Sequence, residues 1–236
     1  MQRYFCNKLD DNKFTLSSDD SFHIEKVMRM KLGEKIEVVY NNETYISIID
    51  SFNPVTCTIN NKLDENNEMN KKIIIVQSLV NEQKMDMILQ KCTELGMYKF
   101  IPYKAVNSII KDNGKLDKKI DRWQRIVKEA SEQSKRNIIP EVLNPMDINE
   151  LIEYKADLKL ICSTISDNNL KNVIREYKNY DTIMLVIGPE GGFDPVEEEK
   201  FINNNFIPVS LGKRVLRTET ASLCILSMFN YEWMWF

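Results

Sequence analysis

Ser210–Leu223, SLGKRVLRTETASL, packs a strand end, a basic turn and a helix start into fourteen residues. Upstream, Ile183–Glu199, IMLVIGPEGGFDPVEEE, repeats the layout: an apolar run to Ile187, the turn Gly188-Pro189-Glu190-Gly191-Gly192, then a helix start. Asp194 reads as an N-cap, Pro195 as the first helical residue and Glu197 as the third position of a capping box. Two glycine-bearing turns at the ends of buried strands predict an α/β sheet with one ligand site at the strand tips.

The chemistry of the first turn narrows the ligand. Gly188, Gly191 and Gly192 let the backbone approach a bound molecule closely and adopt positive φ. A strand, glycine turn and helix invite a dinucleotide reading, with a pyrophosphate on the helix N-terminus. Glu190 in the turn and Glu197, Glu198 and Glu199 in the first helical turns oppose it, because their field repels a diphosphate. The spacing matches neither GxGxxG nor GxxxxGK[ST]. A cationic nucleoside without phosphate fits better, and S-adenosylmethionine, with its sulfonium and ammonium, is one. The alternative is a plain tight turn in an α/β domain.

Outward from these turns, LKLICST (158–164), TIMLVIG (182–188) and IPVSLG (207–212) predict three parallel strands, and KIIIVQSLV (72–80) and YKFIPYKAV (98–106) two more. QKMDMILQKCTEL predicts a helix stopped by Gly96, with Met85, Ile88, Leu89 and Cys92 inward and Lys84, Met87, Lys91 and Glu94 on another face. A further helix is expected over Asp121–Asn137, burying Ile126, Val127 and Ala130. Before residue 60, KIEVVYN, TYISIID and VTCTIN alternate as short strands, with Asn41 and Asn42 as turn formers and a short helix at SFHIEKVMRM. The polar stretch Asn60–Lys72 predicts the boundary between a small β domain, residues 1–70, and a larger α/β domain, residues 71–236.

The 236 residues carry a net charge of −3, which does not advertise a nucleic-acid binder. Its distribution does more: Lys84 through Arg136 holds 13 Lys or Arg against 7 Asp or Glu. No run of about 18 apolar residues exists, so no transmembrane helix is expected, and MQRYFCNKLDD lacks the basic start and apolar core of a secretory signal. Cys6, Cys57, Cys92, Cys162 and Cys224 form no CxxC pair and His23 is the one histidine, so we expect no metal and reduced cytoplasmic thiols.

IGPEGGF (187–193) with LGKRVLRTETA (211–221) resembles the RsmE family of 16S rRNA uridine-N3 methyltransferases, in the knotted SPOUT class. KMDMILQKCTELG, RWQRIVKEASEQSKR, the amino-terminal RYF and HIEKVMRMKLGEKI look like the family too, in its order, so the resemblance spans nearly the whole chain. It implies a SPOUT-type trefoil-knotted parallel sheet over Leu158–Phe236 and an N-terminal PUA-like β-barrel. Periodicity alone gives an unknotted, doubly wound sheet.

The implied reaction is methyl transfer from S-adenosylmethionine to N3 of a uridine near the 3′ end of 16S rRNA, within the 30S subunit, by a homodimer and without metal. The resemblance assigns the donor to Thr164; to Ile187, Gly188, Glu190, Gly191 and Gly192; and to Ser210, Leu211, Gly212, Val215, Leu216 and Arg217. Core packing is the alternative for Leu211, Val215 and Leu216. Arg217 is the candidate for stabilising charge on the uracil carbonyls and Glu219 for taking its proton; an Arg217–Glu219 ion pair is the alternative. Candidate RNA contacts are Arg3, Tyr4, His23, Arg29, Lys84, Lys91 and Arg136, with Glu132, Gln133 and Arg136 matching the family's EQ-S-x-R signature. The chain departs from the family at Ala105-Val106-Asn107-Ser108, where Ser-Glu-Arg-Ser is common, at Lys135 in place of glycine, and at Asn41-Asn42 in place of Asp-Gly. A non-catalytic RNA-binding assembly factor, a dinucleotide-dependent oxidoreductase and a methyltransferase for another RNA are the competing readings.

Overall fold

The computed structural model describes residues 1–108 and 116–234, so Lys111 and Lys115 of the basic stretch and Trp235 and Phe236 lie outside the described residues. Two compact units result: Met1–Glu68 with Ser131–Ile138, and Met69–Ala130 with Ile139–Phe236.

In the first unit β1 (Arg3–Phe5), β2 (Leu9–Asp10), β3 (Lys13–Thr15), β4 (Lys35–Tyr40), β5 (Glu43–Ser51) and β6 (Thr56–Lys62) form one sheet in the order β1-β4-β5-β6-β3-β2. Between β3 and β4 lie α1 (Ser18–Phe22), whose N-cap Ser17 accepts from Asp20 N, and a π-helical turn, His23–Val27. The alternating pattern of β4 and β5 turns Ile36, Val38 and Ile49 onto Tyr4, Phe14 and Ile24. Asn41 and Asn42 both take left-handed φ, 50° and 65°, the primed geometry that lets a two-residue turn follow the strands' twist. Arginine chemistry closes this unit. Arg3, 2% exposed, donates to Glu37 at 2.8 Å and to the carbonyls of Lys135 and Arg136 at 2.6 and 3.1 Å, and it pairs with Glu65. Arg136, 3% exposed, pairs with Glu68, whose carboxylate also accepts from Asn137 N at 2.8 Å. Both arginines were expected at an RNA surface; burial against carboxylates takes them out of that role. Tyr4 is corrected likewise: its ring is in the core and its hydroxyl meets His23 Nδ1 at 3.0 Å.

The second unit begins with β7 (Lys72–Ser78), α2 (Glu82–Glu94), β8 (Lys99–Tyr103), α3 (Leu116–Gln133), β9 (Glu141–Val142) and α4 (Ile148–Glu153). There follow β10 (Leu158–Cys162), α5 (Leu170–Glu176), β11 (Thr182–Ile187), α6 (Pro195–Asn203), β12 (Ile207–Val209) and α7 (Thr218–Trp233). The six strands make one wholly parallel sheet, β12-β10-β11-β7-β8-β9. Alternate residues of its near-continuous apolar strands go to opposite faces. Ile73, Ile75 and Leu185 pack under α2, α3, α5 and α7, while Ile74, Val76 and Val186 pack under α4 and α6. In α2 the inward set is the expected one, joined by Thr93. Helix α3 starts earlier and ends earlier than its periodicity predicts, and it buries Trp123 with Val127 and Ala130 while Ile126 is only half-buried.

The C-terminal segment doubles back. From the sheet edge at β12 the chain passes beside the loop after β10, where Ser163 N donates to Val209 O and Ser210 N to Asn168 O, and α7 then packs on α2 and contacts β7 and β11. The expected capping box of α6 is corrected. Asp194 caps through Val196 N and Pro195 opens the helix, but Glu197 turns inward to accept from Tyr103 Oη and from Val106 N at 3.0 Å. A buried phenol and amide need an acceptor more than an exposed helix end does.

Candidate functional site

At the C-terminal tips of β10, β11 and β12 three loops enclose a cavity of about 870 Å³. Thr164 comes from the first; Ile187, Gly188, Glu190, Gly191 and Gly192 from the second; Ser210, Leu211, Gly212, Val215, Leu216 and Arg217 from the third. All twelve residues assigned to the donor thus line one space, joined from α2 by Lys84. Lys91 does not line it; it pairs with Glu94 at 2.8 Å.

Local sequence explains the shape. Gly192 takes φ 74°, and its carbonyl accepts from Asn107 Nδ2 at 3.2 Å, so the segment that departs from the family supports the GPEGG turn through a neutral amide. At Gly212 φ is 119°, a conformation closed in practice to residues with a Cβ. Val215 is 83% exposed, which excludes core packing for it, whereas Leu211 and Leu216 are half-buried against the core cluster.

Beneath the loops lies a buried polar relay that sequence reasoning missed. Gln77, 0% exposed, donates from Nε2 to Thr218 Oγ1 at 2.8 Å and accepts from Ser222 Oγ, while Thr218 Oγ1 donates to Gly188 O at 2.6 Å and Ser78 Oγ to Ile187 O at 2.8 Å. The relay fastens α7 to the tips of β7 and β11. Its one trace in the sequence is the polar pair Gln77-Ser78 ending an otherwise apolar strand.

The cavity lining carries charge of both signs. Glu190, Glu198 and Glu199 line the cavity with Lys213, Arg214 and Arg217. Lys84 Nζ stands 3.0 Å from Glu190 and 3.3 Å from Glu219, and the hydrogen bond to Glu190 holds its amine above the usual lysine range. Arg217 occupies the N-cap position of α7 without a capping bond from its side chain, and it is exposed. Its nearest acidic neighbour in sequence, Glu219, pairs instead with Lys84, against the alternative of an Arg217–Glu219 ion pair. Among the described residues no group of His, Cys, Asp or Glu is arranged to hold a metal ion. No described helix is long and apolar enough to cross a membrane.

A parallel sheet with a glycine-walled cavity at its strand tips and a doubled-back C-terminal helix defines a SPOUT-type RNA methyltransferase domain. Residues 67–230 match the family model for that RNA methyltransferase domain. The chain is 31% identical to ribosomal RNA small subunit methyltransferase E of Bacillus subtilis, over 98% of this chain and 97% of the relative. Identity to the protein of that name from Mesomycoplasma hyopneumoniae is 33%, over 96% and 98%. The crystal structure of the Neisseria gonorrhoeae enzyme of that name, bound to S-adenosylmethionine, superposes with a TM-score of 0.90 at 28% identity, covering 99% of this chain and 98% of the other. The chain belongs to the ribosomal RNA small subunit methyltransferase E family, with the PUA-like β unit and the knotted methyltransferase unit of that fold.

Proposed function

We propose that this chain transfers a methyl group from S-adenosylmethionine to N3 of a uridine near the 3′ end of 16S rRNA, acting in the cytoplasm on the assembled 30S subunit as a homodimer. The observation that carries the reading is the convergence of all twelve donor residues on one cavity. Its chemistry fits the donor. Backbone at Gly188, Gly191 and Gly192 suits close contact with an adenosyl group, Ile187, Leu211 and Leu216 offer apolar wall, and the carboxylates favour a ligand carrying cationic groups.

When bound, the donor supplies an electrophilic methyl on a sulfonium. The protein's task is to hold the uracil in line with it and manage one proton. Arg217, exposed at the rim, is placed to stabilise negative charge spreading onto the uracil carbonyls. Glu219 accepts the N3 proton, freeing the nitrogen's electron pair for the new bond. Uridine N3 is hidden in a duplex, so the substrate base is single-stranded or extruded.

In the first unit His23 and Arg29 are the RNA contacts we retain, beside exposed Phe22, Val27 and Met28, a basic and aromatic surface suited to phosphate and stacking. Exposed Met228 and Tyr231 on α7 support a dimer face. The test is transfer of labelled methyl from S-adenosylmethionine to undermethylated 30S subunits and to naked 16S rRNA, with nucleoside mass spectrometry of the product. N3-methyluridine on the subunit is the expected result. Donor binding with no transfer to either substrate would point to another RNA or to the assembly-factor reading.

A further inference from the structure

Lys84 is the one cation of α2 that reaches the cavity, and its position is electrostatically awkward. It is the third residue of the helix, its backbone N–H held at 3.0 Å by the N-cap Asn81, in the turn where the macrodipole favours anions. What offsets that cost is two carboxylates, one on a cavity loop and one on the helix that follows another. Glu190 sits in the glycine turn after β11 and Glu219 in the first turn of α7. Glu219 is 8% exposed, and the oxygen facing Lys84 accepts no hydrogen bond from the side chains around it. An ammonium at 3.3 Å is therefore the cationic partner of this buried carboxylate. Besides Lys84 and Glu190, the charged groups lining this cavity are Glu198, Glu199, Lys213, Arg214 and Arg217; Glu219 lies behind the lining.

We infer that Lys84 is a positioning residue of methyl transfer, acting through Glu219, and not an RNA phosphate contact. This rests on the reading of Glu219 as the proton acceptor. By bridging Glu190 and Glu219 it also couples the turn that walls the donor to the residue that deprotonates the acceptor, so both sides of the reaction are referenced to one helix.

A double-mutant cycle on the full chain tests this, with turnover on 30S subunits measured alongside RNA affinity at several salt concentrations. Lys84→Met should lower kcat at least tenfold, Lys84→Arg should recover most of it, and Lys84→Met added to Glu219→Gln should cost little beyond Glu219→Gln alone. The salt slope of RNA binding should not change. Two outcomes overturn the inference alone: losses that multiply in the double variant, or a salt slope smaller by about one, the mark of a lost phosphate contact. Full turnover by Glu219→Gln would instead remove the proton-acceptor reading and this inference with it. Unchanged circular dichroism and urea midpoints in the single variants separate these results from misfolding.

Discussion

At the scale of single residues, the site divides its labour between groups held and groups left free. Gln77, Ser78, Thr218 and Ser222 are saturated with hydrogen bonds and buried; Arg217, next in sequence to Thr218, is exposed and caps nothing. That contrast predicts how Arg217→Ala behaves. Donor affinity should stay within about threefold, since main chain and aliphatic wall do the holding, while single-turnover methyl transfer should fall roughly 100-fold, the usual scale for deleting one charge-stabilising donor. Titration calorimetry with the donor and rapid-quench transfer measure the two separately, and equal losses would count against the role. The same logic explains which candidate residues failed. Arg3, Tyr4 and Arg136 are residue types that touch RNA when exposed, yet here they are buried, Arg3 and Arg136 against carboxylates and Tyr4 against His23.

Secondary-structure elements meet at their ends, and the relay under the cavity is where β7, β11 and α7 are joined. Replacing Gln77 with Leu keeps the volume and leaves the backbone carbonyl of Ser78 and the hydroxyl of Thr218 short of partners, at about 1–3 kcal/mol. Urea unfolding should show that loss as a lower midpoint at unchanged slope. Donor affinity should drop as well, because Thr218 carries the strain straight to Gly188. Much at this scale was legible in advance. Buried parallel strands announce themselves as apolar runs, α2 by its Met85, Ile88, Leu89, Cys92 spacing, and the two loops by glycines that only special backbone positions require. What stayed hidden depends on partners distant in sequence. Glu197 at the third position of a helix reads as a cap until Tyr103 and Val106 are placed beside it, and nothing in the residues next to Lys135 signals its left-handed φ of 61°.

Taken whole, the molecule has two units, with Cys57 buried in the first and Cys162 half-buried in the second. Burial pushes Cys57 in the first unit and Cys162 in the second up to about 12. In the unfolded chain those thiols ionise above about 8.5. The unfolded state therefore sheds protons first, and stability that is intact at neutral pH declines as pH rises from about 8.5 toward 12. Thermal melts at pH 7.5 and 10 should show a lower Tm at the higher pH, and a Cys57→Ala, Cys162→Ala variant should lose part of that difference. The polar stretch around residue 70 was read as the boundary, whereas the compact units divide after Glu68 and give Ser131–Ile138 to the first; no local pattern encodes that return, since Lys135 and Arg136 are held by the distant carboxylates of Glu37 and Glu68. That return has a consequence for the order of events during synthesis. Residues up to Glu68 leave the ribosome roughly 70 residues ahead of Ile138, which at about 5–20 residues per second is a delay of roughly 4–14 s. Through that interval the nascent first unit carries an Arg3 guanidinium with its backbone acceptors still untranslated or inside the exit tunnel, so its closure is timed by elongation and not by its own folding rate.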